Sequence, residues 1–356
     1  MFKPKYTIIN KMLNNLMEIA EVRSLVLHTP ILPMQEAKLR RQALARMIHS
    51  STSIEGNILN RYEVEKIIAG KKVDAPKRDI FEVKNYQEAM YYVSKFVQEK
   101  RQLTTKTILE IHRLVTKNTI EKEKCGHFRK GKVYVVARRS KKIIKISYAG
   151  PEAKQVPKLV RNLIDWLKKA KREKICPIIV AAMAHAEIAA IHPFADGNGR
   201  TARILATLIL YQRGYDFRKL FALEDYYNQN RPAYYKAIHL GKNYKERLTA
   251  DSTNWLEYFI QGFKVEMQNV REKIIPLSLD VKLRKKLGGP VYLDKNQIKI
   301  IDFIITMSRI ERSDVEDILN VSRATAARML QELVKIGLIV QKGTKKNVYY
   351  IIVSIE

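Results

Sequence analysis

The chain has 356 residues, and at roughly 100–200 residues per domain this length predicts two or three domains with ample material for a core. Hydrophobic residues make up 46% of the chain and charged residues 29%, which excludes an intrinsically disordered protein. The formal net charge of +30 favours a polyanionic partner such as nucleic acid, nucleotide or an anionic membrane surface. A lysine-rich surface that only maintains solubility explains the charge equally well.

Cysteine content and hydropathy predict a cytoplasmic protein without a membrane partner. The two cysteines, Cys125 and Cys176, lack metal-type spacing, so a reducing interior is favoured over a disulfide framework or a zinc site. The N-terminus is amphipathic and lacks the unbroken apolar run of a signal peptide. The most apolar stretch, 176–191, carries His185 and Glu187 and is too short to span a bilayer, so we predict a buried helix there.

Helical periodicity dominates the first 125 residues. Apolar residues three and four positions apart predict helices at 36–50, at 63–70, where Gly70 is a plausible C-cap, and at 108–120. At 131–150 the runs KVYVV and IIKISY flank the polar stretch ARRSKK, which predicts a β-hairpin with the polar residues between its strands. Helices are predicted again at 153–172, 177–191 and 201–215. The second of these should end at His192 or just before it, because Pro193 follows.

A second module is predicted after the break at Gly288, Gly289 and Pro290. A helix at 297–307 is followed by a second, which opens at Ser313 with a capping box to Glu316. A turn and a third helix at 320–338 lead to two strands within 339–352. This order is typical of a winged helix-turn-helix, with 322–336 as recognition helix and Lys342, Lys345 and Lys346 on the wing.

Residues 192–203, HPFADGNGRTAR, combine groups that suit a nucleotide site. Gly197 and Gly199 allow positive φ and leave backbone N–H groups exposed, which predicts an anion nest before helix 201–215, and Asn198 can add an amide donor. Arg200 and Arg203 lie three residues apart, so both are predicted to project toward one face and hold two neighbouring phosphates.

The remaining residues of this segment suit metal binding and proton transfer. Asp196 lies beside the predicted nest, where Mg²⁺ would share one carboxylate with phosphate oxygens and water. A neutral imidazole at His192 could take the proton of an incoming hydroxyl. Phe194 is predicted to anchor the loop in the core. Each residue alone also has a purely structural interpretation, and their concentration in twelve residues favours the functional one.

HPFADGNGRTAR resembles the signature of the Fic family, HPFx(D/E)GNGRxxR, at every position. The segments GHFRKGKVYV, SYAGPEAKQVPKLV and NRPAYYKAI resemble the family as well, and the similarity covers roughly residues 1–270. The resemblance implies a mainly α fold with a helical core and a β-hairpin flap, to which the C-terminal winged helix-turn-helix adds a small α+β domain. The expected organisation is an N-terminal helical region at 1–75, a catalytic core at 76–270, a linker at 271–290 and the winged domain at 291–356.

The resemblance also implies an activity and residue roles. Family members mostly transfer AMP from ATP to a Ser, Thr or Tyr hydroxyl of a protein. His192 is then the general base and Asp196 the Mg²⁺ ligand. The other implied roles are phosphate binding by Gly197, Asn198, Gly199, Arg200, Thr201 and Arg203, an adenine-side wall of Tyr234, Tyr235 and Asn243, and docking of the target protein on the flap at Val133 and Val135.

Residues 50–57, SSTSIEGN, are predicted to end a helix on Gly56. By resemblance, Ser51, Glu55 and Gly56 match the family's inhibitory motif (S/T)xxxE(G/N), although a bare helix terminus explains the residues alone. We expect Glu55 to pair with Arg203 and so restrain the enzyme. In some relatives the same glutamate supports removal of AMP, which the sequence leaves open.

Three alternatives remain at this stage. The first is a DNA-binding regulator that uses the winged helix, and the others are Fic variants that remove AMP or transfer phosphate. Residues 277–356 hold 14 Lys and Arg and 9 Asp and Glu, a net charge of +5 that is no more than their share of +30. The winged helix could therefore equally serve protein docking or a homodimer. The complete GNGRxxR favours ATP and AMP transfer.

Overall fold

A computed structural model describes residues 2–139, 142–277, 293–307, 309–344 and 348–352. The chain divides into two compact units. Unit 1 consists of Met1–Ser24 and Gln42–Asn269, and unit 2 of Leu25–Arg41 and Val270–Glu356. The predicted linker 271–290 lies outside the described residues from 278 onward, and so do Lys345 and Lys346 of the predicted wing.

Helices dominate the first 277 residues. In chain order they are α1 (Asn10–His28), α2 (Pro33–Ile54), α3 (Arg61–Ile68), α4 (Lys77–Gln98), α5 (Thr105–Thr116), α6 (Val156–Arg172), α7 (Pro177–Ile191), α8 (Asn198–Gln212), α9 (Leu223–Gln229), α10 (Arg231–Ile238), α11 (Tyr244–Thr249) and α12 (Thr253–Ile274). The fold is thus mainly α, as the sequence predicts. Within the described ranges, each helix is too short or too polar to cross a membrane.

The core of unit 1 is built around α7 and α8. Thirteen of the fifteen residues of α7 are buried, among them His185 and Glu187, which confirms the predicted buried helix. Its many alanines let α8 pack closely against it. A helix that is apolar all round is stable only inside a core, since each buried large aliphatic side chain contributes about 1.5–3 kcal/mol. The loop between α7 and α8, residues 192–197, is therefore held at both ends by the most buried helices of the unit.

The predicted hairpin is present, but its strands are longer than expected. β1 (Tyr134–Arg139) pairs antiparallel with β2 (Lys142–Ala149), from Tyr134 opposite Ala149 to Arg139 opposite Lys142. The expectation that the whole of ARRSKK separates the strands is wrong. Strands pair through backbone N–H and C=O groups, so residues with charged side chains can also belong to a strand. Only residues 140–141 lie between the strands, and they are outside the described part.

Several predicted helix ends differ from the observed ones by a few residues, and three of the differences have a local reason. α5 ends at Thr116 rather than at residue 120, because Asn118 has a positive φ of 60°. α8 begins at Asn198 rather than Thr201, because left-handed Gly197 immediately precedes the helical turn. In unit 2 the capping box joins Glu311 and Asp314, two residues before the predicted pair Ser313 and Glu316.

Unit 2 shows the predicted order of helices and strands. Its elements after residue 277 are α13 (Lys295–Met307), α14 (Arg312–Leu319), α15 (Arg323–Lys335), β3 (Ile339–Lys342) and β4 (Tyr349–Ile352). β3 and β4 are antiparallel, and Ile310 bridges to Tyr350 beside them. Ile300, Ile304, Val315, Leu330 and Leu333 form the core of these elements. The assignment as a winged helix stays a prediction.

Candidate active site

His192 forms the C-cap of α7 in a left-handed conformation, with φ 48° and ψ 59°. Such a backbone is uncommon outside glycine and is maintained only by surrounding contacts. The Nδ1 atom lies 3.2 Å from the carbonyl oxygen of Ala189. Because a carbonyl can only accept, Nδ1 carries the proton and Nε2 keeps a lone pair. Burial lowers the pKa of the imidazole, so His192 is neutral at pH 7 and can accept a proton at Nε2.

The loop that follows is held by a second histidine that the sequence did not single out. His112, on α5, stacks face to face on Phe194 with ring centroids 3.7 Å apart. Its Nδ1 accepts from the backbone N–H of Gly126 at 2.9 Å, so its Nε2–H donates to the carbonyl of Asp196 at 3.0 Å. Burial lowers the pKa of His112 to about 4, which keeps this tautomer neutral. The only sequence signal was a histidine on the apolar face of helix 108–120.

Asn198 locks the loop instead of facing outward. Its Oδ1 accepts from the backbone N–H of Phe194 and its Nδ2 donates to the Phe194 carbonyl, both at 2.9 Å. Both ends of the amide thus bridge four residues of the loop, and a contribution of the second Nδ2 hydrogen to the nest stays a prediction. Its backbone N–H still lies at the N-terminus of α8.

The N-terminus of α8 presents backbone N–H groups that suit an anion. Among the described residues no acceptor bonds to the backbone N–H groups of Asn198, Gly199 and Arg200. Gly197 has φ 74°, and a Cβ there would lie 2.6 Å from a methyl carbon of Thr116, so glycine is required twice over. Gly199 does not use the positive φ that glycine allows, because it lies inside the helix. Thr201 is buried.

Glu55 lies over this N-terminus and bonds to Arg203. A Cβ built on Gly199 would overlap Oε1 of Glu55 and lie 3.1 Å from Nη1 of Arg203. Arg203 Nη2 donates to Glu55 Oε1 at 2.7 Å, and its Nε donates to Oγ of Ser51 at 2.7 Å. Burial is the largest single effect and lowers the pKa of Arg203, but the charge and hydrogen bond of Glu55, together with Tyr234 and Tyr86, give a net upward shift. The carboxylate of Glu55 thus pairs with Arg203, the side chain that is predicted to bind a phosphate.

The turn that carries Glu55 ends α2 as predicted. The helix stops at Ile54, and Gly56 adopts a positive φ of 97°. Asn57 follows and donates from Nδ2 to Glu82 Oε2 at 2.9 Å. The turn is therefore attached on both sides, to Arg203 through Ser51 and Glu55 and to α4 through Asn57.

Arg200 has different neighbours from Arg203. Its side chain is 1% exposed, and Nη1 lies 3.2 Å from Glu82 Oε1 while Nη2 lies 3.5 Å from Asp196 Oδ1. The prediction that both arginines project toward one open face is wrong, because Arg200 points toward α4 and α5 and Arg203 toward α2. Glu82 joins Arg200 to Asn57, and no local motif indicated either Glu82 or Asn57.

The carboxylate of Asp196 is partly exposed, with a side chain 39% accessible. Its Oδ2 accepts from Arg78 Nη2 at 3.3 Å, and its Oδ1 accepts from the N–H of Gly197 at 2.5 Å. No group of three or more His, Cys, Asp or Glu residues suited to a metal occurs in the described ranges. A cation at Asp196 would therefore depend on other oxygen ligands.

The residues expected at the adenine have partners of their own. Tyr234 is buried, stacks on Tyr227 with centroids 4.7 Å apart, and bonds His185 at 2.9 Å. Tyr235 is half exposed, and its hydroxyl donates to the carbonyl of Ile54 at 3.3 Å. Asn243 is the N-cap of α11 and bonds Glu246 through both side-chain ends. Adenine contact by these residues stays a prediction.

Comparison with known proteins agrees with this geometry. Residues 102–210 match the family model described as Fic/DOC family, and this range includes α5, the hairpin, His192 and α8. The chain contains a domain of the Fic/DOC family. Its fold is similar to that of a Fic family protein from Desulfovibrio desulfuricans G20, with TM-score 0.64, 23% identity, and coverage of 100% of this chain and 99% of that one. Fic-1 of C. elegans has TM-score 0.58 and 23% identity, over 73% of this chain and 72% of that one.

Curated relatives of the Fic domain carry the name protein adenylyltransferase Fic. The protein of Nematostella vectensis is 33% identical over 188 residues, which are 52% of this chain and 41% of the relative. That of Drosophila willistoni is 30% identical over 184 residues, 50% of this chain and 34% of the relative. The chain thus spans well under half the length of these relatives.

A buried carboxyl beneath Arg203 of the Fic domain predicts a pH dependence of stability. Glu224 accepts from the Tyr86 hydroxyl at 3.0 Å, and its Oε2 has no partner among the described residues. Burial raises the pKa of Glu224 from 4.5 to about 7. The folded state therefore retains a proton that the unfolded chain releases between these pH values, so stability falls as pH rises, by about 1.4 kcal/mol per pH unit.

We expect Glu224→Gln to remove most of this decline. The denaturant midpoint of the wild type should fall between pH 5 and pH 8, by the equivalent of about 3 kcal/mol from this residue, and that of the variant should fall less. Glu173→Gln, which changes an exposed carboxylate, is the matched control. Parallel declines in all three proteins would contradict the assignment.

Proposed function

We propose that the chain is an ATP-dependent protein adenylyltransferase, which transfers AMP from ATP to a Ser, Thr or Tyr hydroxyl of a protein and releases pyrophosphate. The observation that carries the proposal is a neutral His192 with a lone pair on Nε2, at the start of the loop that leads to the backbone N–H groups of α8, which have no acceptor among the described residues. The names of the curated relatives support it.

The residues of the site suit this reaction chemically. The N–H groups of α8 and Arg203 would bind the phosphates of ATP, and His192 Nε2 would accept the proton of the target hydroxyl. The hydroxyl oxygen forms a bond to the α-phosphorus. The bond between the α-phosphorus and the oxygen that bridges it to the β-phosphorus breaks, and pyrophosphate leaves with that electron pair. Such transfer depends mainly on positioning and charge stabilisation, which fixed N–H groups and a guanidinium supply.

Asp196 fits a Mg²⁺ ion that arrives with the nucleotide. A single exposed carboxylate is typical of Mg²⁺ sites that complete their shell with phosphate oxygens and water. When bound, the ion would neutralise phosphate charge. Asp196 would first exchange its partner Arg78, whose side chain is 61% exposed and free to move away.

We propose further that Glu55 restrains the enzyme. Arg203 satisfies Glu55 and Ser51 at once, so the phosphate that needs Arg203 must displace a charge-assisted hydrogen bond. The hairpin supports docking of a target: β1 pairs only with β2 among the described residues, which leaves its outer edge available for an added strand. Val133 lies at the base of this edge, and the side chain of Val135 is outside the described part.

DNA binding through unit 2 is the second candidate. The order of α13, α14, α15 and the β3–β4 hairpin favours it, and Arg323 and Arg328 are exposed on α15. Arg328 lies 3.9 Å from Glu332, however, which reduces the charge offered to a phosphate backbone. A gel shift at physiological salt tests this candidate.

The position of the transferred phosphorus distinguishes the proposed activity from phosphotransfer. In the Glu55→Gly background with Mg²⁺, we expect label from α-labelled ATP to appear on protein and label from γ-labelled ATP to appear only in pyrophosphate. Addition of EDTA should abolish the transfer. If protein is labelled from γ-labelled ATP but not from α-labelled ATP, the activity is phosphotransfer and not AMP transfer.

A further inference from the structure

Among the described residues, the buried side chain of Arg129 bonds only to carbonyl groups. Its Nε donates to the carbonyl of His192 at 2.8 Å, its Nη1 to that of Gly131 at 2.6 Å and its Nη2 to that of Pro151 at 2.6 Å. Its backbone N–H also donates to the carbonyl of Pro193 at 3.0 Å. None of the ion pairs within the described ranges includes it.

The three carbonyls belong to two structures that the reaction must hold together. Gly131 and Pro151 lie just before β1 and just after β2, so they are the two ends of the hairpin. His192 carries the base, and its carbonyl belongs to the left-handed residue that ends α7. The planar guanidinium thus spans both ends of the hairpin and the backbone of His192 with its three nitrogens.

Gly150 allows this arrangement. A Cβ on Gly150 would lie 2.6 Å from Cγ1 of Val133 and 3.2 Å from Nη2 of Arg129. The N–H of Gly150 also donates to the carbonyl of Val133 at 3.1 Å, which closes the base of the hairpin. The hairpin ends therefore approach each other and Arg129 only because a side chain is missing at this position.

We propose that Arg129 is a positioning residue that fixes the hairpin relative to His192. A target strand added to β1 would then present its hydroxyl at a set distance from His192 Nε2. The charge of Arg129 also favours a neutral base, since burial and this charge both lower the pKa of His192. This inference rests on the proposed function, because it assigns the hairpin to the target and His192 to the hydroxyl.

Arg129→Gln in the Glu55→Gly background tests the proposal. We expect AMP transfer to fall about 10- to 100-fold, since misplacement of a reacting group by about 1 Å costs about 10²-fold, with an ATP dissociation constant within about twofold of the parent. Amide hydrogen exchange in β1 and β2 should accelerate. Arg129→Lys keeps the charge but cannot reach three carbonyls, so it should restore transfer only in part.

The controls separate positioning from general damage. Arg161→Gln changes an exposed arginine on α6 and should alter neither transfer nor exchange. If Arg129→Gln does not fold, Gly150→Ala is the second variant. Its added methyl group would clash with Val133 and crowd Arg129, so it should also slow AMP transfer and accelerate exchange in the hairpin. Transfer lost in proportion to ATP binding, or unchanged exchange in the hairpin, would overturn the proposal. The exchange measurement needs no activity, so it decides the role of Arg129 even if the parent transfers no AMP.

Discussion

His192→Ala is expected to reduce AMP transfer about 10²–10⁴-fold while the ATP dissociation constant stays within about twofold of the parent. The variant removes the Nε2 lone pair that would take the hydroxyl proton. It leaves the N-terminus of α8 and Arg203 in place, and these are the groups expected to bind the phosphates. The measurement is the initial rate of label transfer from α-labelled ATP in the Glu55→Gly background, with ATP binding followed by calorimetry.

His28→Ala is the matched control for this loss, because His28 is an exposed histidine at the end of α1 and belongs to unit 2. It should transfer AMP at the rate of its parent. Transfer by His192→Ala at more than about a tenth of the parental rate would show that another group accepts the proton.

Glu55→Gly is expected to raise AMP transfer about 10- to 100-fold. A hydrogen bond between charged groups contributes about 1.5–3 kcal/mol, and 1.4 kcal/mol corresponds to a factor of about ten. The variant removes the carboxylate partner of Arg203 Nη2, which keeps its hydrogen bond to the Ser51 carbonyl, and it uncovers the backbone of Gly199. Initial rates at saturating and at low ATP concentration measure the effect.

Two further variants identify the cause. Glu55→Gln keeps the size of the side chain but loses its charge, so its rate should fall between those of the wild type and Glu55→Gly. Glu173→Gly removes an exposed carboxylate just after α6 and should have no effect. An unchanged or lower rate for Glu55→Gly would contradict the proposal that Glu55 restrains the enzyme. If the variant also removes AMP from labelled protein more slowly, Glu55 supports the reverse reaction.

Much of the fold was predictable because it depends on local patterns. The apolar run at 177–191 specified a buried helix, Pro193 marked its end, and the alternation around 131–150 specified a hairpin. The segment 192–203 was likewise readable, because its groups are adjacent in the chain. Helix ends were less accurate, since a single left-handed residue such as Gly197 or Asn118 decides them.

The supporting residues of the site could not be predicted, because their contacts join distant segments. His112 bonds the loop 84 residues later, and Glu82 contacts Asn57 and Arg200, 25 and 118 positions away in the numbering. Nothing near a glutamate on α4 distinguishes it from its exposed neighbours in the sequence. The prediction of a common face for Arg200 and Arg203 was wrong for the same reason. Helical spacing gives the direction in which a side chain leaves the helix, but it does not show which acidic residues from distant segments lie in that direction.

The proposed competition between Glu55 and a phosphate for Arg203 has a thermodynamic consequence. Two ligands that compete for one group are linked. The apparent dissociation constant of productively bound ATP is then the intrinsic constant divided by the fraction of molecules in which Glu55 has released Arg203. Removal of Glu55 should then lower the ATP concentration at half-maximal rate, so the gain in rate should be larger at low ATP than at saturating ATP. By reciprocity, productive ATP must loosen the end of α2 to the same extent, so the enzyme would respond to the cellular ATP level through this one ion pair.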